Sequence, residues 1–115
     1  MKISARPLSN VPVVRVEGEV DPHNADSLQQ TVRDVLGADG GQVIIDLEDC
    51  TYIDSAGLAA LFALTSKARQ KGGRVAAVRP RAQILHLFQL VRLTDERGFE
   101  VHADLEGARA SLAGA

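Results

Sequence analysis

The 115-residue chain predicts an α/β fold. The expected architecture is a mixed, mostly parallel sheet of about five strands with an antiparallel edge hairpin, flanked by about four helices. Three observations carry this reading. Hydrophobic periodicity alternates along the chain between strand-like and helical spacing. Val43-Ile44-Ile45-Asp46-Leu47 is an apolar run of the kind found in strands covered on both faces. Strands separated by helices require parallel crossovers.

The elements follow in the order ββαβαβαβα. Lys2 to Arg6 and Val13 to Glu17 read as two short strands joined by the turn-rich Pro7-Leu8-Ser9-Asn10. Pro12 has no N–H to donate, so it must start its strand or sit where no ladder bond is required. After Gly18-Glu19-Val20-Asp21, the residues Ala25, Leu28, Val32, Val35 and Leu36 recur at helical spacing. Asn24 can cap that helix, and Asp39-Gly40-Gly41 ends the connection. The Val43 to Leu47 strand leads into an acidic loop, Glu48 to Ser55. A second helix starts at Asp54 or Ser55, with Leu58, Leu61, Phe62, Thr65 and Ala68 inward. Lys67, Arg69 and Lys71 suit the negative end of its macrodipole, and Gly72-Gly73 stops it. Val75 to Val78 is a short strand. Pro80 fits the first position of a third helix carrying Ile84, Leu87, Phe88 and Val91. Phe99 to Val101 is a last strand, and Asp104 caps a C-terminal helix with Leu105, Ala108 and Leu112 inward.

Composition narrows the function. A single domain spanning residues 1–115 is expected, with a core of Val, Leu, Ile and Ala, since aromatic residues make up 3% and Trp is absent. A formal charge of −2 and few stacking rings argue against nucleic acid as a partner. The single Cys50 leaves no internal disulfide and no cysteine zinc site. His23, His86 and His102 show no metal-ligand spacing, so no metal or cofactor is expected. No signal peptide and no apolar run of the ~20 residues a membrane span needs can be read, so the expected location is the cytoplasm, without membrane insertion.

Working residues of open α/β sheets gather beyond the carboxyl ends of the parallel strands. Three loops are expected there: Gly18 to Asn24, Glu48 to Ser55 and Arg79 to Arg81. They bring Glu19, Asp21, Glu48, Asp49 and Asp54 to one edge, against Arg79 and Arg81. No glycine-rich phosphate cradle accompanies them. Within this edge Ser55 stands at a helix N-terminus beside a carboxylate, and its hydroxyl admits three readings. As a nucleophile it lacks the glycine of a nucleophile elbow two residues earlier, where Ile53 stands, and a recognisable base. As a helix cap it is suitable, although Asp54 can do the same work and leave Ser55 free. As a phosphoacceptor it would place a charge of about −1.5 to −2 where a helix tolerates anions, beside carboxylates that a docked partner would share.

The run Gly18-Glu19-Val20-Asp21, the strand Val43 to Leu47 and the segment Tyr52-Ile53-Asp54-Ser55-Ala56-Gly57-Leu58 resemble the STAS domain, shared by sulphate transporters and anti-sigma factor antagonists. The resemblance extends over essentially the whole chain. It implies a non-enzymatic binding module regulating sigma-factor-dependent transcription. In stand-alone antagonists the serine matching Ser55 is phosphorylated by a serine kinase that is itself the anti-sigma factor. Unphosphorylated antagonist binds the kinase, phosphorylated antagonist is released, and a separate phosphatase restores it. The resemblance implies that Glu19 and Asp21 belong to the partner surface, and Asp54, Ala56 and Gly57, beside the switch, are expected to bind the partner with them. Gly57 is expected to allow close approach of a partner, and Ala59, Ala60 and Ala63 to form an exposed packing face. Ala56 departs from the Ser or Thr of many phosphorylated antagonists. It matches the Asp-Thr-Ala-Gly-Leu of STAS subunits in lipid-transport complexes, which bind a transporter ATPase without a phosphorylation switch. Stressosome-type scaffolds are a third class with this domain.

Overall fold

The structure, a computed structural model, describes residues 1–38 and 41–113. Its elements are β1 (Lys2–Leu8), β2 (Val11–Val20), α1 (Ala25–Ala38), β3 (Val43–Asp46), β4 (Cys50–Ile53), α2 (Ser55–Gln70), β5 (Val75–Val78), α3 (Ala82–Leu90), β6 (Phe99–His102) and α4 (Leu105–Ala113), with a 3₁₀ turn at Leu93–Asp95. The main sheet runs β1-β2-β3-β5-β6, and β4 pairs with β2 off that path. β1 and β2 are antiparallel, and the other described pairs are parallel. The mixed sheet with an antiparallel edge hairpin is therefore as the alternating periodicity required.

Several boundaries differ for physical reasons. The hairpin turn shrinks to Ser9-Asn10, because Pro7 and Pro12 pair across the ladder. A two-residue turn makes Leu8 and Val11 the closing hydrogen-bonded pair, so Pro7 and Pro12 form the next, non-hydrogen-bonded pair and neither owes a bond there. β4 is a strand that apolar patterning concealed: its four residues are buried, exposed, exposed and buried. Pro80 lies one residue before the α3 N-cap, Arg81, rather than inside the helix. The inner stripe of α2 also takes in Gly57, Ala60 and Leu64, so Ala60 belongs to the core and not to an exposed face. Val91 turns outward, and Leu93 fills the core in its place. Asp39 and Gly40, expected in the α1–β3 connection, lie outside the described residues.

The larger core packs Val14, Ile45 and Ala77 of the sheet against Leu28 and Val32 of α1, Leu61 and Leu64 of α2, and Ile84 and Phe88 of α3. The opposite face carries a smaller cluster of Val11, Val13, Ile44, Ala76 and Val78, which Ala108 and Leu112 of α4 cover. Beyond α4 that face turns polar.

β4 is irregular. Gly18 pairs with Cys50 and Glu19 with Tyr52, so the ladder shifts by one residue and Thr51 is supernumerary. Gly18 takes φ +90 there, a conformation open to glycine and costly for other residues. In a regular strand Cys50 and Ile53 would point to opposite faces. The bulge lets both bury in the larger core, at 0% and 2% exposure.

Candidate functional site

Ser55 is the first residue of α2 and is exposed. The helix begins there because Asp54, extended at φ −95, accepts the Gly57 amide on Oδ1 at 3.0 Å. The Asp54 amide donates to the Val20 carbonyl at 3.1 Å, pinning the cap to the end of β2. Asp54 therefore satisfies the orphan N–H that a capping serine would otherwise serve. Among the described residues no hydrogen bond engages the Ser55 hydroxyl.

Gly57 is buried, and a Cβ built on it would lie 2.7 Å from Ile53 Cγ2 and 2.9 Å from Val20 Cγ1. The close approach expected of Gly57 is thus made inside the chain, where it seats α2 against β2 and β4. Ala56 is half-buried and packs against the larger core.

The loop from Glu19 to Asn24 is fastened by its own side chains. Asn24 Nδ2 donates to the Glu19 carbonyl and Asn24 Oδ1 accepts the Asp21 amide, both at 2.9 Å. Asp21 Oδ1 accepts the His23 amide at 2.9 Å. Asn24 therefore reaches back to brace the acidic loop instead of capping α1 forward, which the sequence alone does not distinguish.

The three loops do meet. The Gly18 amide donates to the Asp49 carbonyl at 2.9 Å, and Arg79 Nη1 lies 3.4 Å from Glu48 Oε2. Their charges divide into two sets. Asp46, 1% exposed at the end of β3, accepts from Arg79 Nη2 at 2.8 Å and has Arg15 Nη1 at 3.8 Å. Arg15 also pairs with Asp49 and Glu17. The hydrogen bond to Asp46 raises the Arg79 pKa further above its ordinary value, so it remains a cation. Arg79 itself sits at φ +56, and its Nε is buried without a partner. Glu19, Asp21 and Asp54 take part in no ion pair among the described residues. The acidic character expected of the whole edge is therefore concentrated on these three residues around Ser55. Arg15, one strand away, gave no sign of its role in the sequence; the clue was an aspartate closing an otherwise apolar strand.

The remaining candidates lie apart from this arrangement. Burial pushes the Cys50 thiol up in pKa. His86 is exposed on α3, and His102 Nε2 lies 2.8 Å from Glu100 Oε1. Among the described residues no group of three His, Cys, Asp or Glu side chains is placed to hold a metal ion. No helix among them is long and apolar enough to cross a membrane.

The sequence model of the STAS domain matches residues 2–108. An anti-sigma factor antagonist from Mycobacterium paratuberculosis superposes with a TM-score of 0.85 at 24% identity, covering 97% of this chain and 93% of that one. The Bacillus anti-sigma factor antagonist SpoIIAA, in its unphosphorylated form, superposes with a TM-score of 0.74 at 18% identity, covering 99% and 100% of the two chains. Its phosphorylated form gives the same TM-score of 0.74 at 16% identity over 96% and 99%. These are likenesses of fold. The low affinity sulfate transporter 3 of Stylosanthes hamata is 28% identical over 81 residues, 70% of this chain but only 12% of the transporter's length.

Proposed function

The chain belongs to the STAS domain family, and on that premise we propose that it is an anti-sigma factor antagonist whose binding to a serine kinase anti-sigma factor is switched off by phosphorylation of Ser55. One observation carries the reading. Asp54 supplies the cap, so the exposed Ser55 hydroxyl has no structural duty at the helix N-terminus. A phosphate there adds a charge of about −1.5 to −2 at a helix end that favours anions by about 0.3–1 kcal/mol. It leaves the fold standing. For a docked partner it brings bulk and charge beside Glu19, Asp21 and Asp54, which would engage basic groups of the kinase. The fold likeness to SpoIIAA in both phosphorylation states supports a switch without refolding. A phosphatase is required to reset it, and the role is one of binding rather than catalysis in a soluble cytoplasmic protein.

The residue Ala56, and only weakly the match to a sulfate transporter, favours a second reading, a regulatory STAS module of a membrane transporter ATPase complex without a phosphate switch. Affinity capture on the immobilised chain, with the retained protein identified and purified, separates the two. Recovery of an anti-sigma serine kinase is expected; recovery of a transporter ATPase favours the second reading. With that kinase and ATP, mass spectrometry should place one phosphate on Ser55, and none on Ser55→Ala. Ser55→Glu should lose kinase binding while its stability stays within about 1 kcal/mol of wild type. Full labelling of Ser55→Ala would end the proposal.

A further inference from the structure

The chain has one tyrosine, Tyr52, and it stands 51% exposed three residues before Ser55. The three phenylalanines are treated differently: Phe88 and Phe99 are buried edge to face, and Phe62 packs partly buried against the core. The β4 bulge supplies the geometry of this exposed ring. The extra residue Thr51 lets Cys50 and Ile53 fill the core and turns Tyr52 out to register with Glu19 on β2. Registered residues of a parallel pair share a face of the sheet. Glu19 is exposed and in no ion pair among the described residues, and β4 runs directly into Asp54 and Ser55. Bulges commonly re-aim a side chain beside a functional site.

We infer that Tyr52 is the affinity anchor of the docking surface, its ring entering an apolar slot on the kinase while the neighbouring carboxylates of Glu19 and Asp54 meet the cationic rim of that slot. This rests on the reading of Ser55 as a kinase-directed switch and adds the residue that holds the complex together. Tyrosines seated in desolvated pockets are frequent hot spots, whereas rim charges chiefly set association rate and salt dependence. The partner's chemistry follows from the two parts: the unpaired carboxylates call for lysine or arginine, and the ring calls for a desolvated pocket.

The test titrates the purified kinase recovered by capture against wild type, Tyr52→Ala and Tyr52→Phe, all carrying unmodified Ser55. Tyr52→Ala should weaken binding ~30-fold or more, chiefly through faster dissociation, and Tyr52→Phe should keep most of the affinity. Circular dichroism melting should be close to wild type for both, since the ring lies outside the core. In a second arm, tetranitromethane should nitrate Tyr52 in the free chain and spare it in the complex. Wild-type binding with an unchanged Tyr52→Ala affinity, or equal nitration in the free and bound chain, overturns this inference and leaves the Ser55 switch intact. Failure of wild type to bind any serine kinase overturns both.

Discussion

Arg79 Nη2 reaches Asp46 Oδ2 at 2.8 Å from a backbone held at φ +56, so an ion pair at the end of the sheet is maintained against local strain. Asp46 is almost fully enclosed, and Arg79 also reaches Glu48 at 3.4 Å. The pair fastens the start of the β3–β4 loop to the end of β5, and so fixes the segment that leads to Ser55. Left-handed non-glycine residues of this kind cost of order 1–3 kcal/mol and persist where the surroundings enforce them.

Arg79→Ala should therefore lower the unfolding free energy by about 1–3 kcal/mol. That is less than the loss of a fully buried pair, because Arg79 is partly exposed and Arg15 stays near Asp46. Arg79→Gly loses the same charge but relieves the backbone, and should be about 1 kcal/mol more stable than Arg79→Ala. Urea midpoints of the two variants check the order; Gly below Ala would contradict the strain.

Asp54→Ala removes the side-chain bond that caps α2 and should cost about 0.5–2 kcal/mol, whereas Asp54→Asn should retain most of the stability. Thermal unfolding followed by circular dichroism distinguishes them. Equal melting of all three proteins would mean that the Asp54–Gly57 bond is not formed in solution.

Gly57→Ala tests the seat of α2. Alanine is the better helix former by about 1 kcal/mol, yet its Cβ would meet Ile53 and Val20 at 2.7 and 2.9 Å. Overpacking of this kind costs about 1–3 kcal/mol, so net destabilisation is expected. Val20→Ala removes one of the two obstructing groups, and the double variant should lose less than the sum of the single losses, measured by urea denaturation.

Acid should weaken a contact on the face of the sheet that α4 covers. Burial alone would raise the Glu100 pKa, but hydrogen bonds from Ser111 and His102 and the charge of Arg74 more than offset it and set it below the ordinary 4.5. A lowered carboxylate stabilises the folded state above its unfolded pKa, and that contribution is lost as pH falls through the folded value. Stability should fall as pH drops below about 4.5, the ordinary glutamate value, and Glu100→Gln should flatten that slope. The measurement is a series of denaturant midpoints between neutral and acid pH.

What the sequence disclosed and what it concealed share a cause. Helices with clear apolar stripes, such as the one through Leu28, Val32 and Leu36, and the doubly covered β3 and β5 are written in local periodicity. β4 is not, because a four-residue bulged strand carries no alternation; its two inward residues are three apart. The gathering of three loops around Ser55 follows from topology alone, and the capping role open to Asp54 follows from residue chemistry. The split of the acidic edge into paired and unpaired carboxylates depends on Arg15, whose distance from Asp46 in sequence hides their approach in space. Asn24 shows the same limit: the residue type announced a hydrogen bond but not its direction.

The solitary Tyr52 also decides what light can see. With no tryptophan in the chain, emission excited in the tyrosine band comes from one ring, beside Ser55 and outside the core. The protein thus carries an optical probe at the place where docking and phosphate transfer are proposed to occur. Its brightness should respond to events at that edge.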